Sequence, residues 1–132
     1  MSTNEFSYKK TRHQRWKYRL LEPYNVRILI FGLNISVEPY VSLNSKGVLK
    51  LSEGYAWDGA TCAFDTRDIM RASLVHDALY QFMRMSLMKQ SYRIMADDEL
   101  RRICIEDGMN KFVAFLVWSA VRAFGAGAAK NS

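Results

Sequence analysis

The stretch GYAWDGATCAFDTRDIMRASLVHDALY, residues 54–80, passes from loop chemistry to helix chemistry partway along, and the reading of the fold turns on that change. Its first part is small and polar, with Gly54 and Gly59 as breakers. At Asp65-Thr66-Arg67-Asp68 it takes the form of a helix start. Asp65 or Thr66 is the N-cap, and an acid sits in the first turn, where the helix dipole favours negative charge. Beyond it Ile69, Ala72, Ser73, His76, Tyr80 and Met83 recur three and four residues apart, which predicts one helix of about five turns. The stretch also holds four aspartates and one of the chain's two histidines within 27 residues, more ionisable chemistry than packing requires.

Upstream, the pattern has the shorter period of strands. Residues 15–21 begin a strand, and Pro23 marks a turn or a sheet edge. Residues 25–31 are rich in Val, Ile and Leu and predict a second strand, punctuated by Gly32 and Asn34. Ile35, Val37, Val41 and Leu43 then fall on odd positions with Pro39 among them, the pattern of an edge strand with one apolar face. Residues 44–47 supply turn chemistry before alternation resumes over residues 48–51. Downstream, a second helix is expected from Ser91 or Tyr92 to Asp107, stopped by Gly108, and a third from about Asn110 to Phe124, ended by Gly125. The expected fold class is therefore α+β, a small N-terminal antiparallel sheet followed by three helices. Residues 15–125 form one domain in this reading, residues 1–14 a basic flexible arm and residues 126–132 a frayed tail.

A chain of 132 residues, 49% apolar and 24% charged, is large enough for one core and too apolar for wholesale disorder. Cys62 and Cys104 are too few for a disulfide scaffold and lack the paired spacing of a zinc site, so two buried thiols are expected. No apolar run near the N-terminus has the form of a secretory signal, which points to a cytoplasm. The longest apolar run, residues 112–121, is broken only by Ser119 and bounded by Lys111 and Arg122. It is about half of the roughly 20 residues a membrane span needs, so a buried helix is expected there and no transmembrane segment. Most of the net charge of +6 lies in residues 1–30, where seven basic side chains face only Glu5 and Glu22. Lys9, Lys10, Arg12 and Arg15, interleaved with Tyr8 and Trp16, suit nucleic acid or an anionic lipid surface, while a solvated face is the plainer reading.

His76 lies one turn from both Ala72 and Tyr80, among small and aromatic neighbours, and should point into protein. Asp77 projects about 100° further round the helix axis, toward a different neighbour. A histidine near a second carboxylate can act as a general base on water while Asp77 helps to hold a cation. The helical wheel of the second helix selects that carboxylate. Asp97 falls at the edge of the apolar stripe Ala96, Leu100, Ile103 and Cys104, whereas Asp98 faces away, with Arg102 one turn on as its surface partner. Two antiparallel helices would let Asp97 meet the imidazole and fix its tautomer. In front of them the loop Trp57-Asp58-Gly59-Ala60-Thr61 offers backbone carbonyls and, with Asp58 and Asp77, the oxygen ligands that suit calcium; magnesium needs fewer protein ligands and is the alternative. Trp57 and Tyr80 are core or rim aromatics with a substrate contact as the sharper reading. Ser73 and Thr61 sit in no nucleophile turn, and His13 alone does not supply the further histidines of a histidine-aspartate phosphohydrolase.

The motifs W-D-G-A at Trp57 to Ala60, H-D-A-L-Y at His76 to Tyr80 and A-D at Ala96-Asp97 resemble a family of small proteins of unknown function encoded by tailed phages and prophages. The similarity spans roughly residues 20–125, and the family's loop carries a proline where this chain has Cys62-Ala63. It implies a viral protein made in a host cytoplasm, with virion association as one outcome. The H-D-x-x-Y element, with an aspartate loop before it and an aspartate helix after it, is also similar to the secreted phospholipases A2, above all the short bacterial type. That likeness implies His76 as general base, Asp97 as its orienter, and Asp58 and Asp77 as calcium ligands. The disulfides and the full glycine-rich calcium loop of those enzymes are absent.

Two functions are thus expected from different classes. One is a phage-encoded, phospholipase-like, metal-assisted ester hydrolase with a polar cleft between the Trp57 loop and the first two helices, helped at an anionic membrane by the arm and the last helix. The other is a non-enzymatic virion or accessory protein, in which the His/Asp cluster is structural and Lys9, Lys10, Arg12 and Arg15 bind DNA or a neighbouring subunit.

Overall fold

The computed structural model describes residues 6–10, 18–58 and 66–130. The chain divides into two compact units, Met1–Asp58 and Gly59–Ser132. The first is all β and the second all α among the described residues, so the fold is α+β with the sheets before the helices.

The first unit contains two antiparallel sheets. One has the order β1-β2-β7, from β1 (Tyr8–Lys10), β2 (Tyr18–Leu20) and β7 (Ala56–Trp57). The other has the order β3-β6-β5-β4, from β3 (Tyr24–Arg27), β4 (Ile35–Val37), β5 (Val41–Leu43) and β6 (Val48–Leu51). Its register sets Tyr24 opposite Leu51, Val26 and Leu43 opposite Leu49, and Ile35 opposite Leu43, which places the apolar alternation of four strands on a single buried face. The expected single edge strand over residues 35–43 is instead a hairpin. Pro39 has no N–H to give a ladder, the chain turns there with Tyr40 N donating to Val37 O, and β4 and β5 pair on either side. The turn at residues 44–47 forms as read. Asn44 Oδ1 accepts from Lys46 N and Val48 N, each at 3.0 Å, and Gly47 has φ +82°, where a Cβ would collide with the Ile28 carbonyl oxygen. Trp57 is buried among Tyr18, Tyr8 and Phe6, with ring centroids 5.6, 6.0 and 6.3 Å away.

Two segments differ from their expected forms. Tyr8–Lys10, within the stretch read as an arm, is a strand paired with β2 that leaves Lys9 and Lys10 exposed; Arg12 and Arg15 lie outside the described residues. The tail read as frayed holds a short helix, α4 (Ala126–Ala129), because Arg84 donates to Ala128 O at 2.9 Å and Gln90 to Ala129 O at 2.6 Å.

The second unit is built round α1 (Arg67–Arg84), which is buried along most of its length and packs against α2 (Arg93–Glu106) and α4. A short 3₁₀ turn at Gln90–Tyr92 precedes α2, and α3 (Lys111–Phe124) packs against α2 and α4. Thr66 is the N-cap of α1, its hydroxyl bonded to the Asp68 carboxylate. Gly108 ends α2 at φ +105°, and the Asn110 side chain caps α3 by accepting from Phe112 N and Val113 N. Near the end of α2, Arg71 of α1 clamps Asp107 through two bonds of 3.0 and 2.8 Å and reaches Glu106 at 2.7 Å; Arg102 pairs with the buried Glu99 and with Glu106. Arg102 is therefore not the partner of Asp98, which accepts instead from Trp118 Nε1 at 2.9 Å.

The apolar run over residues 112–121 is not buried as a whole. α3 covers α2 with a narrow seam of Ala114, Val117 and Val121, while Phe112, Phe115 and Leu116, on its other side, stay exposed. No helix of the described chain is long and apolar enough to cross a membrane.

Candidate active site

Asp97 is fully buried where α1, α2 and α3 meet. A lone carboxylate in such a place would be costly by several kcal/mol. The surrounding sequence supplies four donors. His76 Nε2 lies 2.7 Å from Oδ1, and the Tyr80 hydroxyl donates to the same oxygen at 2.6 Å. His76 and Tyr80 are one turn apart on α1, so the helix delivers both to one atom, and their rings touch with centroids 4.1 Å apart. Oδ2 accepts from Arg122 Nη1 of α3 at 2.8 Å and, more weakly, from Arg93 Nη1 of α2 at 3.4 Å. Arg93 also donates to the Val121 and Arg122 carbonyls at the end of α3, which fixes that helix against α2.

Burial alone would raise the pKa of Asp97. The bonds from His76 and Tyr80, the neighbouring imidazole and the Arg122 guanidinium outweigh it, and the carboxyl lies below its ordinary value. An ionised carboxylate only accepts, so Nε2 of His76 carries a proton and is the donor of this bond. The Tyr80 hydroxyl is pushed well above its ordinary range, first by burial and then by the Asp97 carboxylate that accepts its proton. Tyr80 is thus a fixed donor to Asp97 and not a substrate-facing rim residue. Trp57 is likewise part of an aromatic core and not a rim, because three rings enclose it.

The sequence-derived pair His76 and Asp97 is therefore within hydrogen-bond reach. Asp77 is half-buried on α1, and Asp58 is exposed at the end of the first unit. Among the described residues no group of three or more His, Cys, Asp or Glu side chains is arranged to hold a metal ion. Residues 59–65, with Thr61, Cys62 and Asp65, lie outside the described residues, and so does the rim of the expected polar cleft; Cys104 is buried in α2. Ser73 is buried, with its hydroxyl donating to Met70 O at 2.8 Å, which agrees with its rejection as a nucleophile.

Sequence reasoning missed Arg93, Arg122 and Gly125. Arg93 precedes Asp97 by four residues on the same helix, a spacing that signals an ion pair. Arg122 marked only the end of an apolar run, and nothing local to it named a partner 25 residues away. Gly125 has φ −80°, so it is no left-handed helix stop; a Cβ there would stand 2.6 Å from the Tyr80 hydroxyl and 2.5 Å from the Val121 carbonyl. The chain finds no match among family models, curated proteins or solved structures.

Proposed function

We propose that the chain is an ester hydrolase in which His76 acts as general base and Asp97 orients it, with the phospholipase-like and phage readings retained from the motifs. The observation that carries this reading is the 2.7 Å contact between His76 Nε2 and a fully buried, ionised Asp97. It supports a ring held with Nε2 as donor to Asp97; in the neutral imidazole Nδ1 would take a proton from water as that water attacks a carbonyl and return it to the leaving alkoxide. The resemblance also implies a cation, calcium or magnesium, whose role when bound would be to polarise the carbonyl and steady the oxyanion. Asp58 and Asp77, the two carboxylates the resemblance implies for it, fall short of the about six to eight oxygens that calcium takes.

The test is hydrolysis of dioctanoyl phosphatidylglycerol followed by titration of released acid, with calcium, with magnesium and with chelator. The expected result is metal-dependent release that His76→Ala lowers by about 10²–10⁴-fold. Absence of release by the wild type, together with a melting temperature unmoved by either metal, would overturn the reading.

A second reading is favoured by one feature. Two guanidinium groups sit on Oδ2 of Asp97, so the carboxylate is already neutralised without the histidine. That supports a staple for three helices in a non-enzymatic virion or accessory protein, with Lys9 and Lys10 presented on β1 toward DNA or another subunit. On this reading His76→Ala changes stability and no activity.

A further inference from the structure

The outward face of α3, we propose, docks on an anionic lipid surface. This goes beyond ester hydrolysis and holds or fails without it. Phe112, Phe115 and Leu116 fall within about 100° of each other on the side of α3 opposite its packed seam of Ala114, Val117 and Val121, while Phe124 ends the helix about 120° round from Phe112. Phe112 is 68% exposed and Phe124 84%. These are large apolar side chains held in water by a helix whose opposite seam is packed, a patch of the size of the largest a monomer ordinarily leaves bare, which is often functional.

Two observations select the occupant. The first is charge. From Met109 to Lys130 the chain has no carboxylate, and besides Arg122, whose guanidinium is committed to Asp97, it has Lys111 and Lys130. On the flank nearest α2, the Arg101 guanidinium lies over the rings of Phe115 and Trp118 at 5.4 and 5.6 Å, so a cation borders the aromatic face there too. The Trp118 N–H is already taken by Asp98, which orients the indole beside that cation. Phenylalanine rings with basic neighbours suit the headgroup boundary of an anionic bilayer. The second observation is area. Taking roughly 200 Å² for each side chain, the exposed parts of Phe112, Phe115 and Leu116, which share the face, come to on the order of 300 Å². That falls short of the roughly 800 Å² each copy contributes to a standard protein interface, so a second copy of the chain is the poorer fit.

The experiment is co-sedimentation of the full chain with vesicles of equal phosphatidylglycerol and phosphatidylcholine, and with phosphatidylcholine alone, at two salt concentrations. Wild type, Phe112→Gln/Phe115→Gln and His76→Ala are compared, with melting curves for each. The wild type is expected to sediment with the anionic vesicles and to bind the neutral ones more weakly. The double variant is expected to lose roughly tenfold or more per ring removed, with an unchanged melting curve, since both rings are solvent-facing. His76→Ala is expected to bind as wild type, which separates lipid docking from hydrolysis. Three results overturn the proposal. One is no binding to either vesicle. Another is binding that the double variant retains in full, which would assign it to the basic N-terminal segment. The third is a concentration-dependent dimer that the double variant abolishes, which would assign the face to a second copy.

Discussion

Arg122 Nη1 sits 2.8 Å from Asp97 Oδ2, so a side chain from the last long helix closes a carboxylate whose other oxygen faces the first. One buried atom pair thereby joins α1, α2 and α3, and the three helices should lose stability together when it is broken. Asp97→Asn keeps the shape and removes the charge, leaving Arg93 and Arg122 facing a neutral amide. The expected cost is about 3–5 kcal/mol in urea unfolding. Arg122→Met should cost less, about 1–3 kcal/mol, because Arg93 still reaches the same oxygen. Equal and small losses for the two variants would sink the idea that Asp97 ties the unit together.

The acid limb of the stability curve follows from the same carboxyl. Its folded pKa lies below the ordinary value, so as pH falls the unfolded chain takes up the proton first. The stability it contributes is complete above about pH 4, the unfolded value, and is lost as pH drops through the lower folded value. Melting temperatures from pH 7 to pH 2 should fall steeply below pH 4 in the wild type. Asp97→Asn should start lower and fall less. Some slope should persist in the variant, since the bond from Arg71 also holds Glu106 below its ordinary value. Parallel curves for the two proteins would contradict this assignment.

The pairing of His76 with Asp97 was legible because it depends on helical spacing, which sequence states directly. His76 and Tyr80 share a face by being four residues apart, and Asp97 and Asp98 are told apart by a 100° rotation against an apolar stripe. The helix ends at Gly108 and Asn110 were legible for a similar reason, since caps are local chemistry. What escaped is non-local. The period of residues 35–43 is the same for one strand as for a hairpin, and only pairing with β6 separates them. Likewise the hydropathy of residues 112–121 cannot say how many layers will cover the helix, and among the described residues its main packing partners are α2 and α4. Arg122 looked like a boundary for want of any local partner. The metal reading rested on Asp58 and Asp77 across a loop whose residues 59–65 lie outside the described chain.

At alkaline pH the sign reverses and the responsible group is Tyr80. Burial and the Asp97 carboxylate raise its folded pKa above the ordinary value of about 10. Stability from the protonated hydroxyl is therefore fully present below about pH 10 and is lost as pH rises toward the higher folded value. Tyr80→Phe removes the donor to Asp97 and should be less stable near neutrality by about 1–3 kcal/mol, while its stability should decline less between pH 9 and pH 11 than that of the wild type. Urea unfolding at fixed pH steps measures both. A variant curve that runs parallel to the wild type above pH 9 would mean that Tyr80 does not govern this limb.

The two glycines at the end of the chain should respond to the same substitution with opposite signs. At Gly125 an added methyl would stand 2.6 Å from the Tyr80 hydroxyl and 2.5 Å from the Val121 carbonyl, and both are held in place by bonds to Asp97 and Arg93. Gly125→Ala must push Tyr80 away or move α4, and should cost about 1–3 kcal/mol. At Gly127, inside α4, an added methyl meets nothing within 4 Å. Gly127→Ala should gain about 0.5–1 kcal/mol by raising helix propensity and narrowing the unfolded ensemble. Thermal unfolding of the two variants beside the wild type decides it. If Gly125→Ala were as stable as Gly127→Ala, the close approach of the chain to Tyr80 would have no energetic consequence. A loss at Gly125 that disappears in a Tyr80→Phe background would locate the conflict at the hydroxyl itself, because only that atom is then missing.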